Sequence, residues 1–175
     1  MALSLRDYVS QEPYTPENLN DVLFMLGFGL PCFAVQGVEE AQYNPEAGER
    51  LWERLKLEAP LLDAAWEGDI GAMRAAIAAG ARDLDGALYR TADKGHVLAT
   101  AYLLDAGANP NACLGSGQPL HWALVSGQEG TVQLLLERGA RLPQADECLA
   151  WAASWSGIET LRLVTNLAVD LSHPG

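Results

Sequence analysis

The sequence is poor in cysteine, in lysine and in long apolar runs. Its three cysteines, Cys32, Cys113 and Cys148, are far apart with no Cys-x-x-Cys spacing. Neither a disulfide framework nor a zinc site is expected, and buried reduced thiols are the reading that remains. The longest uncharged apolar stretch, Val22 to Val35, has 14 residues and contains Gly27, Gly29 and Pro31. It is too short and too broken to span a bilayer, so no membrane partner is expected. The opening Met-Ala-Leu-Ser-Leu-Arg-Asp-Tyr has no basic stretch ahead of an apolar one, which argues against a signal peptide and for a cytoplasmic protein. Basic residues number 11 against 23 acidic ones, a net charge of −12. Such a chain repels phosphate backbones, which excludes nucleic acid, and its field would steer a basic protein surface toward it. Nine of the basic residues are Arg and two are Lys, and Ala and Leu abound, a composition associated with GC-rich bacterial genomes.

Catalytic groupings are also missing. Glu39-Glu40 and Asp146-Glu147 pair carboxylates but have no nucleophile or metal-ligand pattern beside them, and read as solvated charge. Gly115-Ser116-Gly117 is not followed by Lys-Ser or Lys-Thr as a phosphate loop requires, and reads as a hairpin tip. His173 falls in a terminal tail. The sequence therefore predicts no enzymatic activity, no catalytic residue, no metal and no cofactor. Hydrophobic residues make up 49% of the 175, enough for a sizeable core and too many for wholesale disorder.

What the chain does contain is a repeat. Gly68 precedes Gly80-Ala81, Gly95 precedes Gly107-Ala108 and Gly127 precedes Gly139-Ala140, each at an interval of twelve residues. A glycine just past a helical stretch supplies the left-handed residue that ends it. Each unit thus reads helix, Gly turn, helix, Gly stop. The third unit runs Pro119-Leu120-His121-Trp122-Ala123, Gly127, then Leu134-Leu135-Leu136-Glu137-Arg138-Gly139-Ala140, which closely resembles the ankyrin repeat. The second keeps Leu88, Ala92, Lys94-Gly95-His96, Leu103-Leu104 and Gly107-Ala108-Asn109-Pro110-Asn111, and the first keeps Pro60-Leu61, Ala64-Ala65, Gly68 and Gly80-Ala81. A degenerate fourth copy, Trp151-Ala152-Ala153-Ser154-Trp155-Ser156-Gly157 then Leu161-Arg162-Leu163-Val164, lacks the closing Gly-Ala, as a terminal cap would.

The resemblance implies an all-α ankyrin-repeat solenoid of stacked helix pairs over residues 60–175, with units near 60–84, 86–112, 118–143 and 146–171. Successive Gly-Ala pairs are 27 and then 32 residues apart, short of the family period of about 33. The first inter-repeat hairpin should therefore be truncated. Residues 1–59 are expected to form an N-terminal helical cap over the apolar side of the first repeat. Within them, Thr15-Pro16 predicts a helix start, followed by Leu19, Val22, Leu23 and Leu26 at helical spacing up to a stop at Gly27. Residues 46–58 alternate Glu and Arg around Leu51, Trp52 and Leu55, a second amphipathic helix. Tyr8, Tyr14 and the stretch Phe24 to Phe33 are the alternative for this segment, a binding surface of its own.

In the ankyrin family, imidazoles at the places of His96 and His121 hydrogen-bond backbone between loops, and certain inner-helix positions face outward on the concave, partner-binding side. In this sequence those positions are Asp63, Trp66 and Glu67, then Arg90, Asp93 and Lys94, then Trp122, Val125 and Ser126, and finally Ala152, Trp155 and Ser156. Three of the five tryptophans fall among them, and large aromatics are the residues that dominate interface energetics. The implied function is protein–protein interaction by that face, with a partner offering apolar pockets rimmed by Arg or Lys. The acidic, compact chain is similar in kind to ankyrin-type immunity proteins that block bacterial toxins. A general ankyrin adaptor or regulatory scaffold is the alternative. The sequence assigns neither the partner nor an oligomeric state.

Overall fold

Three of the helices in the first part of the chain are each begun by a side chain that satisfies a free backbone N–H. Ser4 accepts from the Asp7 N–H at 3.1 Å and starts α1 (Leu5–Gln11). Thr15 accepts from the Asn18 N–H at 3.0 Å ahead of Pro16, the first residue of α2 (Pro16–Leu26), as its Thr-Pro signal predicts. Asn44 accepts from the Glu46 N–H at 3.0 Å ahead of α3 (Pro45–Glu67). The computed structural model describes residues 4–26, 37, 40–41, 44–112 and 117–141. The expected stop at Gly27, the stretch to Phe33, the three cysteines, the hairpin tip at 115–116 and the fourth repeat lie outside these residues.

At 23 residues, α3 is the longest element among the described residues, about 34 Å from end to end. The helix expected over 46–58 and the first inner helix of the array, expected from Pro60, are one helix, and the boundary expected at residue 59 falls inside it. Pro60 removes one backbone donor without ending the run, as tertiary packing holds both sides of it. Two apolar stripes run along this helix. Leu51, Leu55, Ala59 and Leu62 recur at helical spacing and bury against Leu5, Val9, Leu19 and Val22 of α1 and α2. Leu61, Ala64 and Ala65, turned about 100° away, belong to the core of the repeats.

That second core is built from helix pairs. The end of α3 pairs with α4 (Ile70–Ala79), α5 (Leu84–Lys94) with α6 (Val97–Asp105), and α7 (Pro119–Val125) with α8 (Glu129–Glu137). The inner helices α3, α5 and α7 pack in succession through Ala64, Ala65, Ala87, Leu88, Ala92, Leu120 and Ala123, and the outer helices contribute Met73, Ala99, Leu103, Val132 and Leu135. Small residues on the inner helices let these short elements approach closely. No strand longer than a single bridge residue occurs among the described residues. The architecture is an all-α solenoid, as the repeat spacing predicts.

The glycine that turns each pair has two reasons to be there. Gly68 and Gly95 sit at φ 73° and 75°, in the left-handed region. A Cβ on Gly68 would also lie 2.7 Å from the His96 ring, and one on Gly95 would lie 2.0 Å from the Gln128 amide oxygen. Those two side chains reach back across the repeat boundary. His96 Nε2–H donates to the Trp66 carbonyl at 2.9 Å, and Gln128 Nε2 donates to the Asp93 carbonyl at 3.3 Å. The inter-loop role expected of His96 is met, and Gln128 performs it in the next repeat.

The truncated hairpin is also present. Four residues, 80–83, separate α4 from α5, against thirteen, 106–118, between α6 and α7. In the longer connection, Asp85 accepts from the Asn109 N–H at 2.7 Å, and Asn111 accepts from the Arg141 N–H at 2.8 Å. In the short one Glu58 of α3 takes over. Its carboxylate, 2% exposed, accepts from the Arg82 N–H through both oxygens and from the Asp83 N–H at 2.9 Å. A buried charge is tolerated where it collects several donors in this way.

Candidate protein-binding face

By register, the positions expected to face outward on α3, α5 and α7 fall into three rows across the inner helices. The first row is Asp63, Arg90 and Trp122; the second is Trp66, Asp93 and Val125; the third is Glu67, Lys94 and Ser126.

Trp66 is 44% exposed. Four large apolar side chains are exposed among the described residues, Leu57, Trp66, Val97 and Leu98, and Trp66 is the one that occupies these rows. The Lys94 ammonium stands 3.6 Å from the centre of its ring and the Arg90 guanidinium carbon 5.7 Å. Cations over an indole face contribute about 0.5–2 kcal/mol each, according to their exposure. The indole is therefore both exposed and held in place, with its own backbone carbonyl fixed by His96.

Arg90 is the opposite case. It retains 7% of its exposure, and its Nε and Nη2 make no hydrogen bond. Burial lowers its affinity for the proton, while Asp63, Tyr89, Asp83 and Asp93 act the other way. Neither Asp63 nor Asp93 turns onto it. Asp63 accepts from the Arg6 N–H at 2.8 Å, which ties α1 to the beginning of the inner-helix face. Asp93 accepts from the Ser126 hydroxyl at 2.6 Å and lies 3.7 Å from the Lys94 ammonium. Two of the carboxylates expected to rim a partner's basic groups are thus engaged within the chain, whereas Glu67 is exposed.

Trp122 is half-buried. Its ring meets Tyr89 edge-on at 5.7 Å and His121 at 5.5 Å, so an outward register position has become partly an aromatic contact between repeats. Burial lowers the His121 pKa. Val125 is half-buried and Ser126 exposed. Trp155, Ser156 and Ala152 lie outside the described residues.

The face brings Trp66, Arg90, Asp93, Lys94 and Ser126 into one interacting cluster, puts Trp122 beside it, and leaves Asp63 shared with the N-terminal segment. Arg6 and Tyr89 were missed by sequence reasoning. Tyr89 stands where the ankyrin pattern has its histidine, which was a visible signal; nothing in the sequence pointed to a backbone N–H of Arg6. No group of three or more His, Cys, Asp or Glu side chains suited to a metal occurs among the described residues.

A family model of ankyrin repeats, in three copies, matches residues 61–146. The match spans 86 of the 175 residues, and over that segment the chain is similar to an ankyrin array. The match begins inside α3, one residue after Pro60, and covers the three helix pairs that carry the face. Among curated proteins none matches the chain in sequence. Ankyrin arrays are protein-binding scaffolds, which places protein–protein interaction as the class of function. No helix among the described residues is long and apolar enough to cross a membrane.

Proposed function

We propose that the chain is a dedicated protein inhibitor of the immunity type, which binds one protein partner in the cytoplasm by its inner-helix face and blocks it. The observation that carries this reading is Trp66, exposed yet pinned by Lys94 at 3.6 Å. Surfaces that accept many partners use flexible, Met-rich side chains that repack. A fixed aromatic anchor beside a fixed hydrogen-bonded pair, Asp93 and Ser126, suits one complementary partner, because ordering costs are met before binding. The net charge of −12 favours a partner that is basic overall, chiefly through the rate of encounter. Glu67, Val125, Trp122 and, in the fourth unit, Trp155 and Ser156 complete the proposed contact surface.

The test is affinity capture from the native host with the tagged wild-type chain and the Trp66→Ala variant in parallel, followed by assay of the companion's own activity. One stoichiometric companion, lost with Trp66→Ala and inactive in the complex, is the expected outcome. Several substoichiometric companions, or one whose activity is untouched, would replace the inhibitor with an adaptor.

A further inference from the structure

The two nitrogens of Arg90 that lack partners, Nε and Nη2, form one edge of the guanidinium. Their N–H bonds point the same way, and this is the edge that receives a carboxylate through two parallel hydrogen bonds. A buried donor left unmade is costly, and a charged one more so. The chain's own carboxylates leave the edge open: Asp63 accepts from the Arg6 N–H, Asp93 from Ser126, and Asp83, whose second oxygen is likewise without a partner, makes no hydrogen bond to it. Immediately beside it lies the most exposed aromatic of the inner-helix rows, Trp66, with Lys94 on its face.

We infer that this niche is the receptor for one acidic side chain, an Asp or Glu of the protein partner, held by the free edge of Arg90 with Lys94 at its entrance. The inference rests on the inner-helix face being the binding surface, and it names the chemistry at that surface's centre. A carboxylate arriving at the face meets the exposed Lys94 first. The partner would then be basic at long range, as the charge of −12 favours, but acidic at the one residue that reaches the centre. An acid in this position fixes orientation, because an amide of the same shape cannot accept both N–H bonds.

The probe is a random peptide library displayed on phage and selected on the immobilised full chain, with selected peptides then synthesised in acidic and amide forms. The expected consensus has one fixed Asp or Glu. Its replacement by Asn or Gln should weaken binding at least tenfold on the wild-type chain and less than twofold on Arg90→Gln. Arg90→Lys, which keeps the charge and loses the fork, should behave like Arg90→Gln. Far-ultraviolet circular dichroism of both variants must match the wild type, which separates a lost contact from a lost fold. Peptides that need Trp66 but carry no fixed acid, or whose acid matters equally on Arg90→Gln, would overturn the carboxylate niche and leave the binding face intact. If no selected peptide depended on Trp66, the face itself would fall, and the niche with it.

Discussion

Arg90 and Asp83 are both charged groups held against their solvation preference, and each makes a measurable prediction. Replacing Arg90 by Met removes a guanidinium with two unmade hydrogen bonds and keeps most of its volume. Such replacements are often neutral or stabilising. Arg90→Met should raise the melting temperature by a few degrees while weakening partner binding; a fall in melting temperature would show that Asp63 and Asp93 repay the burial in full. Asp83 caps α5 by accepting from the Gly86 N–H at 3.2 Å, and its second oxygen is buried without a partner. Burial first, with Glu58 and Asp85 adding to it against the Gly86 bond, pushes its pKa up to about 6 from 3.8. The folded state therefore holds this proton more tightly than the unfolded chain does. Its ionisation destabilises the fold above pH 6, and that loss is recovered as pH falls from about 6 toward about 4, by on the order of 2 kcal/mol. Asp83→Asn keeps the cap and removes the charge. Urea midpoints should be higher for the variant at pH 7.5 and converge with the wild type near pH 4; parallel curves would exclude the linkage.

At the scale of elements, the joint between α3 and α5 depends on one side chain. Glu58→Ala would strand the Arg82 and Asp83 N–H groups that its carboxylate satisfies, at a cost of about 3 kcal/mol. Hydrogen exchange should show the protection of α5 falling before that of α8; uniform loss would mean that the joint has no local role. Much of this level was legible in the sequence. The Gly spacing marks helix ends through backbone conformation, a local property that one residue type reports, and the missing residues between Gly80 and Leu84 announce the short hairpin. Glu58 was visible only as a charge at the helical spacing of Leu61 and Ala65, and its role depended on a loop 24 residues away. The register grouped these positions along the inner helices, yet it could not show that Trp122 would lean on Tyr89 or that Arg90 would be buried. Those outcomes depend on what adjacent helices place opposite, which no single repeat encodes.

For the whole molecule, α3 carries both cores on two neighbouring stripes, so the N-terminal helices and the repeats should unfold together. Leu55→Ala lies entirely in the first core, and a large-to-small change there costs about 2–5 kcal/mol. We expect it to lower the urea midpoint of the entire chain in one transition, with equal loss of hydrogen-exchange protection in α1 and α6. Two transitions, with α6 untouched, would show independent units divided within α3. The net charge makes a separate prediction. Raising salt from 50 to 500 mM should slow association with the captured partner about tenfold or more and alter its dissociation little. A rate independent of salt would remove steering from the account.

Near-identical units stacked in a line offer a ligand near-identical places to sit, displaced by one unit at a time. This array is closed to such sliding at its first unit. The bond from the Arg6 N–H to Asp63 sets α1 against the leading edge of the row, like a bookend at the end of a shelf. Beyond it the row reads acid, buried cation and aromatic in unlike succession, so a shift by one unit mismatches every contact. A partner bound here has a single frame in which to be read.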